Sequence, residues 1–485
     1  MVDRVEPRPG EEGRSASAVE RQSSGAIIAE RRLAPVAGPL LLWGLGVGYV
    51  ISGDYYGWNF GLTATGYWGF LIALGVVAVL YATMCAAIAE MSAAIPHAGG
   101  PYAFARTALG PVGGYLCGVG VVIEYVIAPA AVATAIGAYV NVLLPVLPTV
   151  VTAIAVYAVF TAVHLWGVGS SLKLELVFTG IALAMLIVYF LVGLPNVTLA
   201  NLNEVGGGEV LPNGFAGLWA ALPLAAWFFL AIEGLPMAAE EARDPERDLP
   251  RALVSSFITL AILAVFTLTV AAGMGGAREV GEADAPLPVA ALNGLGDGHW
   301  LVGTISVVGL AGLVASFHGI VLAYSRQIFA LSRTGYLPLF LSRVNERHTP
   351  TWALVVPGLV GIGLVMLGAL LPGSAIPVLV TMSVFGAAIS YILMMVSAIV
   401  LRRRRPDLRR PFRMPGGQAT AWVALLLAVL LLPAGIKDYP VAMIFGLLVF
   451  AAFAAYYFLY SRNRLLSRSI EEELNVIERA ESELR

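Results

Sequence analysis

Twelve apolar runs divide this 485-residue chain, at 37–64, 68–94, 112–140, 145–166, 174–194, 216–241, 251–273, 300–331, 352–371, 375–401, 419–434 and 440–461. Each lies near the ~20 residues that an α-helix needs to cross a bilayer. In hydrocarbon every peptide group must find its partner within the protein, which leaves helices as the natural use of such runs. The expected fold is therefore an all-α integral membrane protein with twelve transmembrane helices. A composition of 59% hydrophobic and 12% charged residues, with a mean hydropathy of +0.82, excludes an ordinary soluble domain.

Charge orients the runs. Of the 29 lysines and arginines, all but Arg278 and Lys437 precede the first run, follow the last, or fall in the even-to-odd connections and the run ends that border them. The positive-inside rule then predicts that both termini are cytoplasmic, as suits the plasma (inner) membrane of a bacterium. Residues 1–36, rich in Arg, Glu, Ser and Gly, read as a mobile cytoplasmic arm without a signal-peptide core. The 462–485 tail reads either as an amphipathic helix carrying Ile470, Leu474, Ile477 and Leu484 or as a solvated segment. The Arg402–Arg405 run reads as an anchor beside anionic lipid.

Several chemistries find no support. Motifs for a nucleophile elbow, a zinc protease helix, a phosphate-binding loop and a dinucleotide fold are missing. The chain is expected to be neither an enzyme nor a nucleic-acid binder, and to use no cofactor or metal. Cys85 and Cys117 lie inside runs without partners at metal spacing, and read as packing residues. The expected state is a monomer or loose homo-oligomer in contact with lipid.

Two runs are interrupted. Ile51–Trp58 and Phe229–Pro236 each set a carboxylate, Asp54 or Glu233, beside glycine in an otherwise apolar stretch. Unwound backbone is tolerated at membrane depth only inside protein or along a cavity, and paired breaks in two halves of a chain point to a transport site. A third carboxylate, Glu124, lies within the third run. Each costs ~2.5–3.5 kcal/mol at the centre of a span, and almost no lysine or arginine lies within the runs to balance them. That surplus suits a cationic amine, which needs acceptors and negative charge. Each acid also has a structural alternative: Glu124 and Glu233 as coupling or gating groups or as hydrogen-bond partners, Asp54 as selectivity group or N-cap. Glu90 reads as a loop partner for Arg106. His318, beside Ser316 in the eighth run, reads as an interhelical hydrogen bond or as a proton relay. Tyr49, Tyr55, Tyr56, Tyr125 and Phe229 could face an ammonium or fill the core.

Four motifs add a resemblance. Pro96–Tyr102, the Glu124-Tyr125 pair, Glu240–Arg251, and Tyr324-Ser325-Arg326 with Ser332–Pro338 resemble, in order, the amino acid-polyamine-organocation (APC) transporters. Ser52–Leu62 and Trp227–Gly234 are similar to bacterial ethanolamine permeases, with Asp54 where most amino acid permeases of the superfamily carry an apolar residue. The resemblance implies a LeuT-like fold with helices 1 and 6 broken at the midplane. Its transporter domain, 37–461, would hold inverted five-helix repeats at about 37–194 and 216–401 and peripheral helices at 419–461. It further implies substrate contacts from Tyr49, Ser52, Gly53, Trp227, Leu230, Glu233 and Gly234, with Asp54 as the amine-selective group and Trp227 as an aromatic gate.

Coupling stays open at this level. Proton-coupled relatives place a lysine in helix 5 where this chain has Ala182, and the helix 8 hydroxyl pair of sodium-dependent members is replaced by Ala315 and Ser316. Proton symport through Glu124, with Glu233 and His318 as further coupling or gating groups, stands beside exchange and uniport. The sequence therefore predicts a secondary transporter importing a small cationic amine, ethanolamine foremost. Amino acid import is the alternative, and a non-transporting receptor is a third reading that the short tail disfavours.

Overall fold

The computed structural model describes residues 36–167, 172–347, 349–371 and 373–465. The expected N-terminal arm and the amphipathic stretch of the tail lie outside the described residues. Helices α1 (Pro39–Val50) and α2 (Ser52–Tyr55) precede a loop and the long α3 (Phe60–Ala94). There follow α4 (Pro101–Leu143), α5 (Thr149–Leu165), α6 (Leu172–Gly193), the short α7 (Leu199–Leu202) and α8 (Gly214–Ala226). A 3-10 segment, Ile232–Glu241, leads to α9 (Pro245–Gly275), and α10 (Ala277–Glu282) and α11 (Pro286–Leu295) connect to α12 (Trp300–Arg333). The chain closes with α13 (Thr351–Gly368), α14 (Ile376–Arg404), α15 (Gln418–Leu431) and α16 (Pro440–Leu459).

Eight of these helices are long and apolar enough to cross a membrane, and five shorter ones are apolar. Four of the five, α1, α5, α8 and α15, occupy the remaining predicted runs, and the fifth, α11, lies in a connection. The first and second runs meet at Gly66, whose φ of 67° bends α3 so that Phe60–Thr65 continues the first run. Gly110, φ 75°, does the same in α4 and separates its first nine residues from the spanning part.

The side chains sort as lipid solvation demands. Leu191, Leu359, Leu426 and Leu448 point outward, exposed, while Asp54, Glu124, Glu175 and Glu233 are buried. Polar groups inside and apolar groups outside is the distribution of a protein whose solvent is hydrocarbon. An apolar cavity of about 200 Å³, lined by Leu80, Trp219, Leu222 and Leu431 among others, lies at the periphery between α3, α8 and α15, away from the carboxylates.

Close backbone contact positions the interior. A Cβ on Gly386 of α14 would come within 2.7 Å of the Glu124 nitrogen of α4, so glycine lets these two helices touch beside the buried acid. On the arginine-rich face, Glu90 is held by Arg402, with Nε at 2.7 Å, by Arg410 at 3.3 Å and by the Met414 N–H at 2.8 Å. This corrects the expected pairing with Arg106, whose Nη1 instead donates to Tyr102 Oη at 2.6 Å. The reason is geometric: Glu90 ends the second span where α14 and its following loop pass. Arg402 thus fixes two spans together in addition to facing the membrane surface.

Candidate functional site at the paired breaks

The first break is shorter than the sequence suggested. Ile51 keeps right-handed helical angles, so α1 and α2 are nearly continuous. Extended backbone begins at Tyr56, and Gly57 follows at φ 91°. Asn59 satisfies the loop, accepting from the Gly57 N–H at 3.0 Å and donating to the carbonyls of Val280 and Ala283, both at 2.8 Å. Buried peptide groups require such partners. The second break spans Trp227–Ala231 and turns on Ala231, whose φ of 77° is the single positive value at a non-glycine residue among the described residues.

The two breaks touch. A Cβ on Gly53 would sit 2.5 Å from the Trp227 carbonyl oxygen, so this approach is open only to glycine. The Trp227 indole covers Gly57 and meets Tyr56 edge-on, with ring centroids 5.6 Å apart. Its Nε1 is buried without a hydrogen-bond partner.

Glu233 lies six residues beyond Trp227, at the start of the 3-10 segment. Its Oε1 accepts from Tyr125 Oη at 2.7 Å and its Oε2 from Tyr391 Oη at 3.0 Å. Tyr391 Oη also lies 3.0 Å from Tyr81 Oη, which extends the network to the second span. The Glu124 carboxyl adjoins that of Glu233 and the Ala231 main chain, and no side-chain donor reaches either of its oxygens. Two carboxyls can hydrogen-bond only with a proton between them. No lysine or arginine occurs between Arg106 and Lys173, or between Lys173 and Arg243, so the spans that carry the pair supply no counter-charge. Such a pair can hold a proton or an ammonium group.

The other anticipated residues divide. The Ser52 N–H donates to Ser316 Oγ at 2.9 Å, and Ser316 Oγ donates to the Gly48 carbonyl at 2.7 Å, which fixes the end of α1 against α12. The Tyr49 ring faces Gly234 and Gly319, and Leu230 is buried beside the second break. Tyr55 Oη donates to the Ala182 carbonyl at 2.8 Å, which ties the residue before the first break to α6.

Asp54 stands apart from the acidic pair. Its Oδ1 accepts from Thr267 Oγ1 of α9 at 3.3 Å, and its Oδ2 has no partner. Successive helical residues point about 100° apart, so with Gly53 turned to Trp227 the next side chain faces α9. The three buried carboxylates Asp54, Glu124 and Glu233 thus form a pair plus one. His318 is likewise away from the pair, with Nδ1 2.9 Å from Glu175 Oε2. Tyr391, Tyr81, Glu175 and His164 were not anticipated. The available signal was that each is a polar or ionisable group within an apolar run.

With this geometry in view, comparison with known proteins is informative. The profile of the family described as "Amino acid permease" matches residues 40–462. An uncharacterized transporter of Rhizobium meliloti strain 1021 is 31% identical over 386 residues, 77% of this chain and 80% of its own length. The branched-chain amino acid permease BcaP of Bacillus subtilis strain 168 is 27% identical, covering 90% of this chain and 95% of its own length. The methylthioribose transporter of the same strain is also 27% identical, over 76% and 82%. None of these three is named for ethanolamine. The broken spans, the buried acids and the matched profile together place this chain in the amino acid permease family, among multi-pass membrane transporters that are not enzymes.

Proposed function

We propose that this permease is a secondary transporter that imports a small solute bearing an ammonium group, by alternating access, and that the ammonium is seated at Glu124 and Glu233. The observation that carries the reading is the adjoining pair of carboxyls beside the broken spans, with no basic residue in the spans that hold them. In this reading Tyr49, Ser52, Gly53, Trp227, Leu230 and Gly234 contact the solute, and Trp227, whose indole covers Gly57, is the gate. Membership of the family supports a twelve-span arrangement with inverted repeats, and the arginine asymmetry supports cytoplasmic termini in the plasma membrane of a bacterium.

An amino acid is the first reading for the solute. The family description and the name of the branched-chain relative favour it. Ethanolamine is the second, favoured by the Ser52–Leu62 string and by a surplus of buried negative charge that a solute without a carboxylate complements. In that reading Asp54 acts on selectivity from the α9 side.

The test is uptake of radiolabelled isoleucine and of radiolabelled ethanolamine into proteoliposomes, each with unlabelled alanine, arginine, choline and putrescine as competitors. Saturable isoleucine uptake blocked by alanine supports the first reading. Saturable ethanolamine uptake blocked by amines alone supports the second. Unsaturable flux of both overturns the transporter mechanism.

A further inference from the structure

A second buried ionisable cluster lies apart from the acidic pair. His318 of α12 and Glu175 of α6 form a pair at 2.9 Å, with side-chain exposures of 3% and 1%. His164, in the last turn of α5, stacks obliquely on His318 with ring centroids 4.7 Å apart. Three polar atoms of this cluster, Glu175 Oε1, His318 Nε2 and His164 Nε2, are buried without a hydrogen-bond partner. Buried polar groups in native proteins are nearly always satisfied, so three in one place call for an occupant.

The geometry points to a proton. His164 Nδ1 lies 2.7 Å from the Phe160 carbonyl, so Nδ1 is the donor and Nε2 carries a lone pair. His318 Nδ1 likewise faces a carboxylate and leaves Nε2 as the basic nitrogen. Among the described residues no group of three His, Cys, Asp or Glu is arranged to hold a metal ion. We propose that Glu175, His318 and His164 form a proton-coupling site that links the arginine-rich face to the first span. The inference rests on the transporter reading above.

The link to the first span is physical. Glu175 Oε1 lies in the crevice between Gly48 of α1 and Gly319 of α12, beside Thr179 Oγ1 and the Tyr49 ring. Ser316, two residues before His318, holds both the Gly48 carbonyl and the Ser52 N–H. One stretch of α12 therefore touches the proton site and the turn that leads into the first break. Among the described residues, the other ionisable groups acting on the cluster are Arg326 of α12, which is electrostatically linked to His164 and Tyr49, and Glu241, which pairs with Arg326. Tyr49 is the one titratable residue on α1, and α13 has none.

The step is a simple one. A proton adds to His318 Nε2, forming one N–H bond, and the pair passes from a net charge of −1 to an imidazolium–carboxylate of net zero. An unbalanced carboxylate in a low-dielectric interior is costly. Proton loss therefore disfavours the packing of α1 against Glu175, and proton gain restores it. His164 relays protons between His318 and the face on which α5 ends.

The experiment uses the full chain in proteoliposomes, as wild type and as Glu175→Gln, His318→Gln and His164→Gln, with radiolabelled isoleucine and ethanolamine as probes. Accumulation of a probe under an imposed pH gradient is expected to fall about tenfold or more in the first two variants, while probe exchange at equal pH stays within about threefold of wild type. His164→Gln is expected to slow accumulation without lowering its final level. Wild-type accumulation that ignores the pH gradient, or variants that accumulate as wild type does, would overturn the proposal. Infrared difference spectra of the reconstituted protein between two pH values need no solute. Loss of an imidazole band in both Glu175→Gln and His318→Gln supports the site, and its retention in both overturns it. A chain that exchanges neither probe yet shows this band change would fail the solute reading alone.

Discussion

Gly53 meets the main chain of Trp227 with no side chain between them, so the two interrupted spans share a backbone-to-backbone contact at their centre. In the proposed alternating-access cycle this contact opens and closes, and the arrangement seen leaves no room for a methyl group. Gly53→Ala is expected to cost about 1–3 kcal/mol through overpacking and to abolish uptake. Thermal unfolding in detergent and solute uptake, measured on the same preparation, check both halves. A variant with normal uptake would show that the closed contact is not part of the cycle.

Glu124 and Glu233 differ in what supports them, and neutral replacements should separate their roles. Glu124→Gln keeps the shape and removes a buried acid that no side-chain donor satisfies, so stability is expected to hold or rise while solute affinity falls about tenfold or more. Glu233→Gln also disturbs the bonds from Tyr125 and Tyr391 and should lose stability by about 1–3 kcal/mol. Binding titrations beside melting curves distinguish the two.

Asp54 and Thr267 give a third test. If the carboxyl serves selectivity, Asp54→Asn changes the order of competitors in uptake while Thr267→Val leaves it intact. If it serves only as a partner of α9, both variants lose stability together, by about 1 kcal/mol, and keep the wild-type order. The measurement is one competition panel on three proteins.

Glu90 binds two arginines and a backbone N–H on the arginine-rich face. Glu90→Ala leaves Arg402 and Arg410 without their shared partner. It is expected to destabilise by about 2–4 kcal/mol, less than a fully buried pair because Arg402 is partly exposed. Glu90→Gln should recover part of this through hydrogen bonding. Denaturation followed by tryptophan fluorescence reads the order wild type, Gln, Ala.

The sequence exposes what is periodic and local. The apolar runs give the helices, and glycine beside a carboxylate gives the neighbourhood of both breaks, because a charge in lipid needs a local reason. The exact turn at Tyr56-Gly57 was not legible, since Ile51 can continue a helix and only the packed Trp227 shows where the chain must unwind. Partners remote in sequence were not legible either. Glu90 and Arg402 are 312 positions apart, and Arg106 was nearer at hand. Glu175 passed unnoticed because it is the second residue of its run, where an acid can be an ordinary end residue. Only the approach of α12 and α5 shows it to be buried beside two histidines.

Ala231 holds a left-handed backbone angle that glycine would adopt without strain. For an alanine this conformation costs about 1–2 kcal/mol, which the surrounding contacts offset in the arrangement seen. The sixth span is therefore a loaded joint with a built-in preference to straighten. Ala231→Gly would release that load and enrich the present arrangement about fivefold or more. Transport by such a variant is expected to slow at the step that leaves this state, which uptake rates of the two proteins check.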